Sequence, residues 1–308
     1  MRYAFIQELT ELAEKDKNII LLTADLGFTV FEDFAKKFPN QFFNVGVAES
    51  NMIGLATGLA LSGKTVFAYS IASFASLRPY EHIRNDICLH NASVVIVGSG
   101  AGLSYGDAGP THFATQDISV MRALPNITIL CPSDPFEVRW ATREAAKLKS
   151  PVYLRLGKKG EPNLYNSPPK LKIGKGSWIK KGSDLAIVAT GNIVFNTLEA
   201  AKILEKSGIV ASVISMHTVK PIDKKLIQEL AQIHDHMITT EEHTILGGLG
   251  GAVAEIISQM PDKKAKLLIL GLPDSFPEKL GSHDYLREVH GLTPNKLANR
   301  IKKFLSQK

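Results

Sequence analysis

Short runs of β-branched residues alternate with amphipathic segments along this chain, and this alternation constrains the fold more than any other feature. The run NIILLTA is followed by FEDFAKKF, and the run ITILCP is followed by FEVRWATREAAKL. Strands that are covered by helices on both faces give near-continuous apolar runs of this kind. Strand and helix in alternation therefore predict an α/β fold, with mostly parallel sheets between layers of helices.

The alternation stops between residues 157 and 182, where glycine, proline and lysine predominate. Such residues favour turns and solvated loops, and the alternation resumes beyond them. A chain of 308 residues is long enough for two domains. We therefore predict two doubly wound, three-layer α/β/α domains at residues 1–160 and 183–308, joined by a linker at 161–182.

Composition narrows the class of protein. Hydrophobic residues make up 44% of the chain and charged residues 21%, and no apolar run reaches the roughly eighteen residues that a membrane helix needs. The first segment, MRYAFIQELTELAEKDKN, carries charges where a secretion signal would be apolar. We expect a cytoplasmic protein without a membrane segment.

The net charge of +6 does not indicate nucleic-acid binding, because the lysines concentrate at residues 158–181 and at the last ten positions instead of alternating with aromatic residues. Some of this charge can attract phosphorylated metabolites. Cys88 and Cys131 are the two cysteines, and neither has metal-ligand spacing. We expect two reduced, buried thiols and no metal site in this chain.

Doubly wound sheets bind ligands at the carboxyl ends of their strands, so candidate site residues should follow strands directly. Asp25 follows NIILLTA, Glu49 follows FFNV, and the loop from Gly98 to His112 follows SVVIVG. Arg155 lies inside the run PVYLRL, near its end.

Glu49 lies in GVAESNM, between a predicted strand at 42–45 and a helix that stays apolar for three turns. A carboxylate in such a place is partly desolvated, and groups of this kind pair or hold a proton. Two interpretations follow from the residues alone. Glu49 is an acid favoured by the helix dipole, or it gives a proton to a nitrogen heterocycle that lies against the apolar wall.

Several spaced motifs together resemble the carboxyl-terminal half of transketolase, which consists of a pyrimidine-binding domain followed by a small carboxyl-terminal domain. The resemblance covers nearly the whole chain. The motifs are TADLGFT at 23–29, GVAESNM at 46–52, DAGPTH at 107–112, LPNITILCPSDPFE at 124–137 and VYLRLGKKG at 152–160.

The resemblance implies thiamine diphosphate bound across a subunit interface, with Glu49 bonded to a nitrogen of its aminopyrimidine ring and driving formation of the reactive carbanion. Phe74 would stack on that ring and Asp25 would lie near the thiazolium side. His112 would touch the oxygens of the substrate and transfer protons. Without the resemblance, Phe74 reads as a core residue, Asp25 as a strand-end cap and His112 as a loop residue.

The resemblance also assigns substrate-binding residues. Arg2, Thr29 and Arg155 align with positions that hold the sugar phosphate, where guanidinium groups bond phosphate oxygens in pairs. Two positions depart from the family pattern: Gly100 replaces a common phosphate-binding histidine, and Ala108 replaces an aspartate. Asp107 is the candidate to substitute for that aspartate, and the sugar substrate is open.

The family motif for the diphosphate, GlyAspGly with an asparagine about thirty residues later, is absent from this sequence. We therefore expect an obligate partner resembling the amino-terminal half of transketolase, which would hold the diphosphate with Mg²⁺ or Ca²⁺. The expected assembly is an α2β2 heterotetramer.

The sequence thus predicts one subunit of a split transketolase, moving a two-carbon ketol unit from a ketose phosphate to an aldose. The nearest alternatives are an enzyme like 1-deoxyxylulose 5-phosphate synthase and the beta subunit of a 2-oxo acid dehydrogenase. A non-catalytic binding subunit is the alternative of another class. GlyProThrHis at 109–112 and the candidate phosphate arginines favour transketolase.

Overall fold

The computed structural model describes residues 1–262 and 265–307. Its strands are β1 Ile19–Thr23, β2 Phe42–Asn44, β3 Thr65–Ile71, β4 Val94–Ser99, β5 Thr128–Leu130, β6 Val152–Leu156, β7 Ser177–Lys180, β8 Leu185–Thr190, β9 Ala211–Ser215, β10 Thr218–Lys220, β11 His236–Thr244 and β12 Lys266–Leu272.

The α-helices of the described residues alternate with these strands over most of the chain, as the sequence pattern predicts. They are α1 Arg2–Lys15, α2 Glu32–Lys37, α3 Glu49–Leu61, α4 Ala72–Leu77, α5 Tyr80–His82, α6 Asp117–Ala123, α7 Pro135–Lys147, α8 Val194–Glu205, α9 Lys224–Ile233, α10 Leu249–Ser258, α11 His283–Val289 and α12 Pro294–Leu305.

The strands form two sheets. The first has seven strands in the order β10-β5-β6-β4-β3-β1-β2, and the second has five in the order β12-β11-β8-β9-β7. Strands β1 to β6 pair in parallel with one another. The predicted fold class, two mostly parallel sheets with helices in an α/β arrangement, is confirmed.

The first sheet is covered on both faces, which explains its continuous apolar strands. One face packs under α3, α4 and α6 with Met52, Ile53 and Met121 in its core. The other packs under α1 and α7, with Phe5 and Leu9 buried there. Burying such side chains contributes roughly 1.5–3 kcal/mol each.

Two short strands pair outside the ranges predicted for their domains. Strand β7, at 177–180, lies inside the predicted linker at 161–182 and pairs antiparallel with β9 of the second sheet. Strand β10, at 218–220, lies inside the predicted second domain but pairs antiparallel with β5 of the first sheet. The first sheet therefore takes an edge strand from the later part of the chain, and the predicted domain bounds stay a prediction.

Both cysteines are buried free thiols, as expected. Burial raises the pKa of the Cys88 thiol to about 11. Among the helices in the described part of the chain, none is both long and apolar enough to span a bilayer.

Candidate active site

Glu49 is the first residue of α3, and four residues, 45–48, connect it to the end of β2. The side chain is buried, with only 2% of the residue exposed. Met52 and Ile53, one turn further along α3, are fully buried beneath it. The short connection and the apolar helix thus place a single carboxylate at the carboxyl edge of the first sheet, in a site largely shielded from water.

Both carboxylate oxygens of Glu49 accept hydrogen bonds. The Ser70 Oγ atom, at the end of β3, donates to Oε1 at 3.1 Å. The Arg78 Nη1 atom donates to Oε2 at 2.9 Å, and 46% of the Arg78 side chain is exposed. The carboxylate is therefore held in a fixed orientation by a buried hydroxyl and a half-exposed cation.

Phe74 is linked to this carboxylate through Arg78, and His112 packs against Phe74. The guanidinium carbon of Arg78 is 3.8 Å from the centroid of the Phe74 ring. The His112 ring meets Phe74 edge to face, with 5.0 Å between centroids, and the Thr111 Oγ1 atom lies 2.9 Å from His112 Nδ1. The structure thus brings Glu49, Phe74 and His112 together, joined through Arg78, which the sequence analysis did not identify.

Asp25 lies at the same edge of the sheet, in the loop after β1. The Asn44 Nδ2 atom donates to Asp25 Oδ1 at 2.8 Å, while Asn44 Oδ1 accepts from the backbone N–H groups of Asp25 and Gly46, each at 3.0 Å. Asn44 therefore ties the Asp25 loop to the loop that leads into Glu49. Asn44 is the last residue of β2, and this position at a strand end was the sequence signal that could have identified it as a site residue.

The loop containing Asp25 and Thr29 is strained. Asp25 has φ of 54° and Thr29 has φ of 65°, and a β-branched residue with positive φ is a genuine outlier. The Thr29 N–H donates to the Glu32 carboxylate at 2.6 Å, which holds this conformation. Strained backbone of this kind concentrates at functional sites. The loop borders a cavity of about 230 Å³ lined by Asp25, Phe28, Asn44 and neighbouring residues.

A basic cluster lies near His112 and consists of two cations, Arg2 and Lys158, beside the Tyr105 ring. The Arg2 Nε atom donates to the Lys158 carbonyl oxygen at 3.0 Å, and the Lys158 Nζ atom is 4.5 Å from the Tyr105 ring centroid. Partial burial, then the charges of Arg2 and Lys159, lower the pKa of Lys158. The Tyr105 and His112 rings lie 6.4 Å apart. Sequence analysis missed Lys158, although it lies just after β6.

Tyr105 also accounts for the unusual glycine at position 100. A Cβ atom at Gly100 would lie 2.0 Å from the Tyr105 ring, and the backbone there has φ of 86°. The ring thus occupies the space that any side chain at position 100 would need. Asp107 is exposed in the adjacent turn, at 106–108.

Arg155 lies in β6, near the strand end, as the sequence places it, and its side chain is buried. Only 1% of it is exposed, and its Nε atom donates to Asp117 Oδ2 at 2.7 Å. Its Nη2 atom donates to the carbonyl oxygens of Ala114 and Glu242 at 2.9 and 3.1 Å. Burial alone would raise the pKa of Asp117, but Arg155 holds it below its usual value. The Nε and Nη2 atoms are thus occupied by Asp117, Ala114 and Glu242, while the buried Nη1 atom has no hydrogen-bond partner among the described residues. A role for Arg155 in binding a sugar phosphate stays a prediction.

Glu242, on β11 of the second sheet, bonds to the loop at residues 100–114. Its Oε1 accepts from the Leu103 N–H at 2.8 Å and lies 2.6 Å from His283 Nε2. Its Oε2 accepts from Arg287 Nε at 2.6 Å. Arg287 and His283 together outweigh burial and hold the pKa of Glu242 well below its usual range. The loop from 100 to 114, which contains His112, is therefore fixed to the second domain by buried charges.

The residues present fit the aminopyrimidine half of thiamine diphosphate. A buried carboxylate and an aromatic face lie side by side, which suits a flat, cationic nitrogen ring. Within residues 1–262 and 265–307, no group of three or more His, Cys, Asp or Glu side chains is arranged to hold a metal ion.

The sequence matches two family models. Residues 1–162 match the pyrimidine-binding domain of transketolase, and residues 174–297 match the transketolase C-terminal domain.

Two curated relatives are similar over almost their full length. A putative transketolase C-terminal section from Methanocaldococcus jannaschii is 42% identical, covering 98% of this chain and 95% of the relative. One of the subunits of an apulose-4-phosphate transketolase from Phocaeicola vulgatus is 36% identical, covering 92% of this chain and 90% of the relative.

A solved structure described as a split gene transketolase, inactive beta4 tetramer, is 39% identical and superposes with a TM-score of 0.90, covering 98% of this chain and 97% of that one. The chain therefore belongs to the transketolase family, as a C-terminal subunit of the split type.

Proposed function

We propose that this chain supplies the pyrimidine-binding half of a thiamine diphosphate-dependent transketolase, which transfers a two-carbon ketol unit from a ketose phosphate to an aldose. The observation that carries this proposal is Glu49, buried at the start of α3 beside the Phe74 ring. A carboxylate in a water-poor crevice interacts far more strongly with a ring nitrogen than it would in water.

The cofactor, when bound, supplies a carbon nucleophile that breaks and forms bonds beside a carbonyl group. Glu49 would share a proton with the ring nitrogen and so support that chemistry, while Ser70 keeps its carboxylate oriented. Phe74 would stack on the ring, and Asp25 would favour the positive charge on the thiazolium side. His112 transfers protons at the oxygens of the substrate.

The substrate's phosphate group is the proposed ligand of the basic cluster. Arg2 and Lys158 provide two cations next to Tyr105 and close to His112. Thr29 and Arg155 are further proposed contacts for the sugar phosphate, and Asp107 is proposed to take the place of the family aspartate. Because Tyr105 fills the space above Gly100, we propose that the preferred sugar differs from the usual pentose phosphates.

A partner subunit completes the proposed enzyme. Apart from Asn51, the exposed residues of α3 are small or apolar, namely Gly54, Leu55, Gly58 and Leu61, and such a face is suited to burial against another polypeptide. We propose that the partner resembles the amino-terminal half of transketolase, holds the diphosphate with Mg²⁺ or Ca²⁺, and forms an α2β2 heterotetramer in the cytoplasm.

The test is reconstitution of the pair. The chain is co-purified with a candidate partner that resembles the amino-terminal half of transketolase, and the pair is given thiamine diphosphate and Mg²⁺. Ketose phosphate plus aldose is then compared with pyruvate plus aldehyde, and with a 2-oxo acid and an electron acceptor. We expect ketol transfer from the ketose phosphate that requires both chains.

Each alternative has its own outcome in this assay. Turnover of pyruvate alone would replace the proposal with a 1-deoxyxylulose 5-phosphate synthase-like activity, and oxidation of a 2-oxo acid would indicate a dehydrogenase. A complex that binds its partner but turns over none of these substrates would favour a non-catalytic subunit.

A further inference from the structure

The side chain of Arg78 lies between the two residues that are proposed to hold the aminopyrimidine ring. Its guanidinium carbon is 3.8 Å from the centroid of the Phe74 ring, and its Nη1 atom donates to Glu49 Oε2 at 2.9 Å. One planar group therefore stacks on the aromatic ring and bonds to the buried carboxylate at the same time.

The guanidinium has the three properties that this site would recognise in the cofactor. It is flat, it is positively charged, and it presents an N–H donor at its edge. A protonated aminopyrimidine has the same three properties. A distance of 3.8 Å is a stacking contact, so a second ring cannot lie on the same face of Phe74. His112 meets the Phe74 ring edge to face, 5.0 Å away.

Assuming the proposed function, we propose that Arg78 is a displaceable substitute for the aminopyrimidine: it pairs with Glu49 and covers Phe74 until the cofactor takes its place. Cofactor binding then exchanges one cation–carboxylate pair for another. The buried carboxylate has a partner before and after the exchange, which avoids the large cost of an unpaired buried charge.

The position of Arg78 allows this exchange. The residue follows the last residue of α4 and precedes Pro79, and 46% of its side chain is exposed, against 2% for Glu49. Release therefore needs rotation of one long side chain into solvent and no movement of the sheet. An ion pair with one half-exposed partner is weak enough for a ligand to displace.

The test measures cofactor affinity in the assembled two-subunit complex, by titration calorimetry with thiamine diphosphate and Mg²⁺. Arg78→Met keeps the length of the side chain but removes the charge and the donors. The matched control is Arg84→Met, because Arg84 is an exposed arginine that bonds to the neighbouring Asn85 Oδ1 at 2.7 Å. We expect Arg78→Met to bind about fivefold to tenfold more tightly than wild type, because no competing side chain must leave, and Arg84→Met to match wild type.

Unchanged or weaker binding by Arg78→Met would overturn the proposal, since weaker binding would mean that Arg78 contacts the bound cofactor. A crystal structure of the wild-type complex with thiamine diphosphate gives a second readout that does not depend on any variant. We expect the guanidinium to have left the Phe74 face, and a guanidinium still stacked there would contradict the exchange. If neither wild type nor any variant binds the cofactor, the proposed function itself fails.

Discussion

Arg155 and Asp117 form a buried ion pair in which Arg155 Nε donates to Asp117 Oδ2 at 2.7 Å, and each side chain is only 1% exposed. The Tyr153 hydroxyl donates to the same Asp117 oxygen, also at 2.7 Å. Because Arg155 also bonds to the carbonyl oxygens of Ala114 and Glu242, the pair links the segment after His112 to the second domain. We interpret Arg155 as a residue that positions the active-site loop.

Replacing Asp117 with Asn should destabilise the fold strongly. The substitution leaves the Arg155 charge buried without its partner, which costs about 3 kcal/mol or more. The measurement is the free energy of unfolding in urea. Glu144→Gln is the control, because Glu144 pairs with Lys147 on the surface and such a pair contributes about 1 kcal/mol at most. Equal losses of unfolding free energy in Asp117→Asn and Glu144→Gln would contradict the interpretation that the buried pair holds the loop in place.

The basic cluster should recognise a substrate phosphate. Lys158→Met should raise the KM for a phosphorylated acceptor about tenfold or more, because a charge-assisted hydrogen bond contributes about 1.5–3 kcal/mol. The KM for the same acceptor without phosphate should change little. Arg155→Lys tests the further proposed contact, and a phosphate-specific KM effect in Arg155→Lys alone would contradict the assignment to the basic cluster.

Removing the Ser70 hydroxyl should make the orientation of the Glu49 carboxylate less fixed. Ser70→Ala deletes the donor to Oε1, and loss of one buried hydrogen bond costs about 1–3 kcal/mol. We expect kcat for ketol transfer to fall by about tenfold. Ser76→Ala is the matched control, since Ser76 is equally buried but bonds to the backbone carbonyl of Ala72. If both variants have equal activity, Ser70 does not orient the carboxylate.

The two sheets were predictable from the sequence, and the strand ends predict where the candidate site lies. The apolar runs of β1, β3 and β4 are buried along their whole length, so the pattern of residues alone predicts a covered parallel sheet there. The edge strand β2, by contrast, is partly exposed. Asp25, Glu49 and His112 follow strands, and strand ends meet at one edge of such a sheet. The order of strands and polar residues along the chain therefore predicts that these three side chains lie near one another.

Other features depend on tertiary contacts that no local pattern contains. Strand β10 has three residues and pairs with β5 from a distant part of the chain, and β7 is only partly buried, as a surface loop is. Arg155 lies at a strand end, as a ligand-binding residue does, but its partner Asp117 is far away in sequence. The stacking of Arg78 on Phe74 likewise depends on side-chain packing.

Acid should destabilise the contact between the domains through Glu242. Its pKa is held far below the ordinary value of 4.5, so its charge favours folding at any pH above 4.5. That contribution falls as the pH drops from 4.5 toward the depressed native pKa, because the unfolded chain takes up the proton first. The free energy of unfolding of wild type should thus decrease more steeply over this range than that of Glu242→Gln. If the free energy of unfolding falls equally steeply with pH in wild type and Glu242→Gln, Glu242 does not stabilise the fold in this way.

The role of Glu49 is tested most directly by following the cofactor proton that Glu49 is proposed to help remove. The exchange of the thiazolium C2 proton of bound thiamine diphosphate for deuterium is measured by quenched-flow NMR in wild-type, Glu49→Gln and His112→Gln complexes. General acid–base catalysis contributes about 10²- to 10⁴-fold. We predict that Glu49→Gln slows exchange by at least about a hundredfold, while His112→Gln leaves exchange intact and slows only ketol transfer. Equal exchange rates in Glu49→Gln and wild type would contradict the proposed role of Glu49 in activating the cofactor.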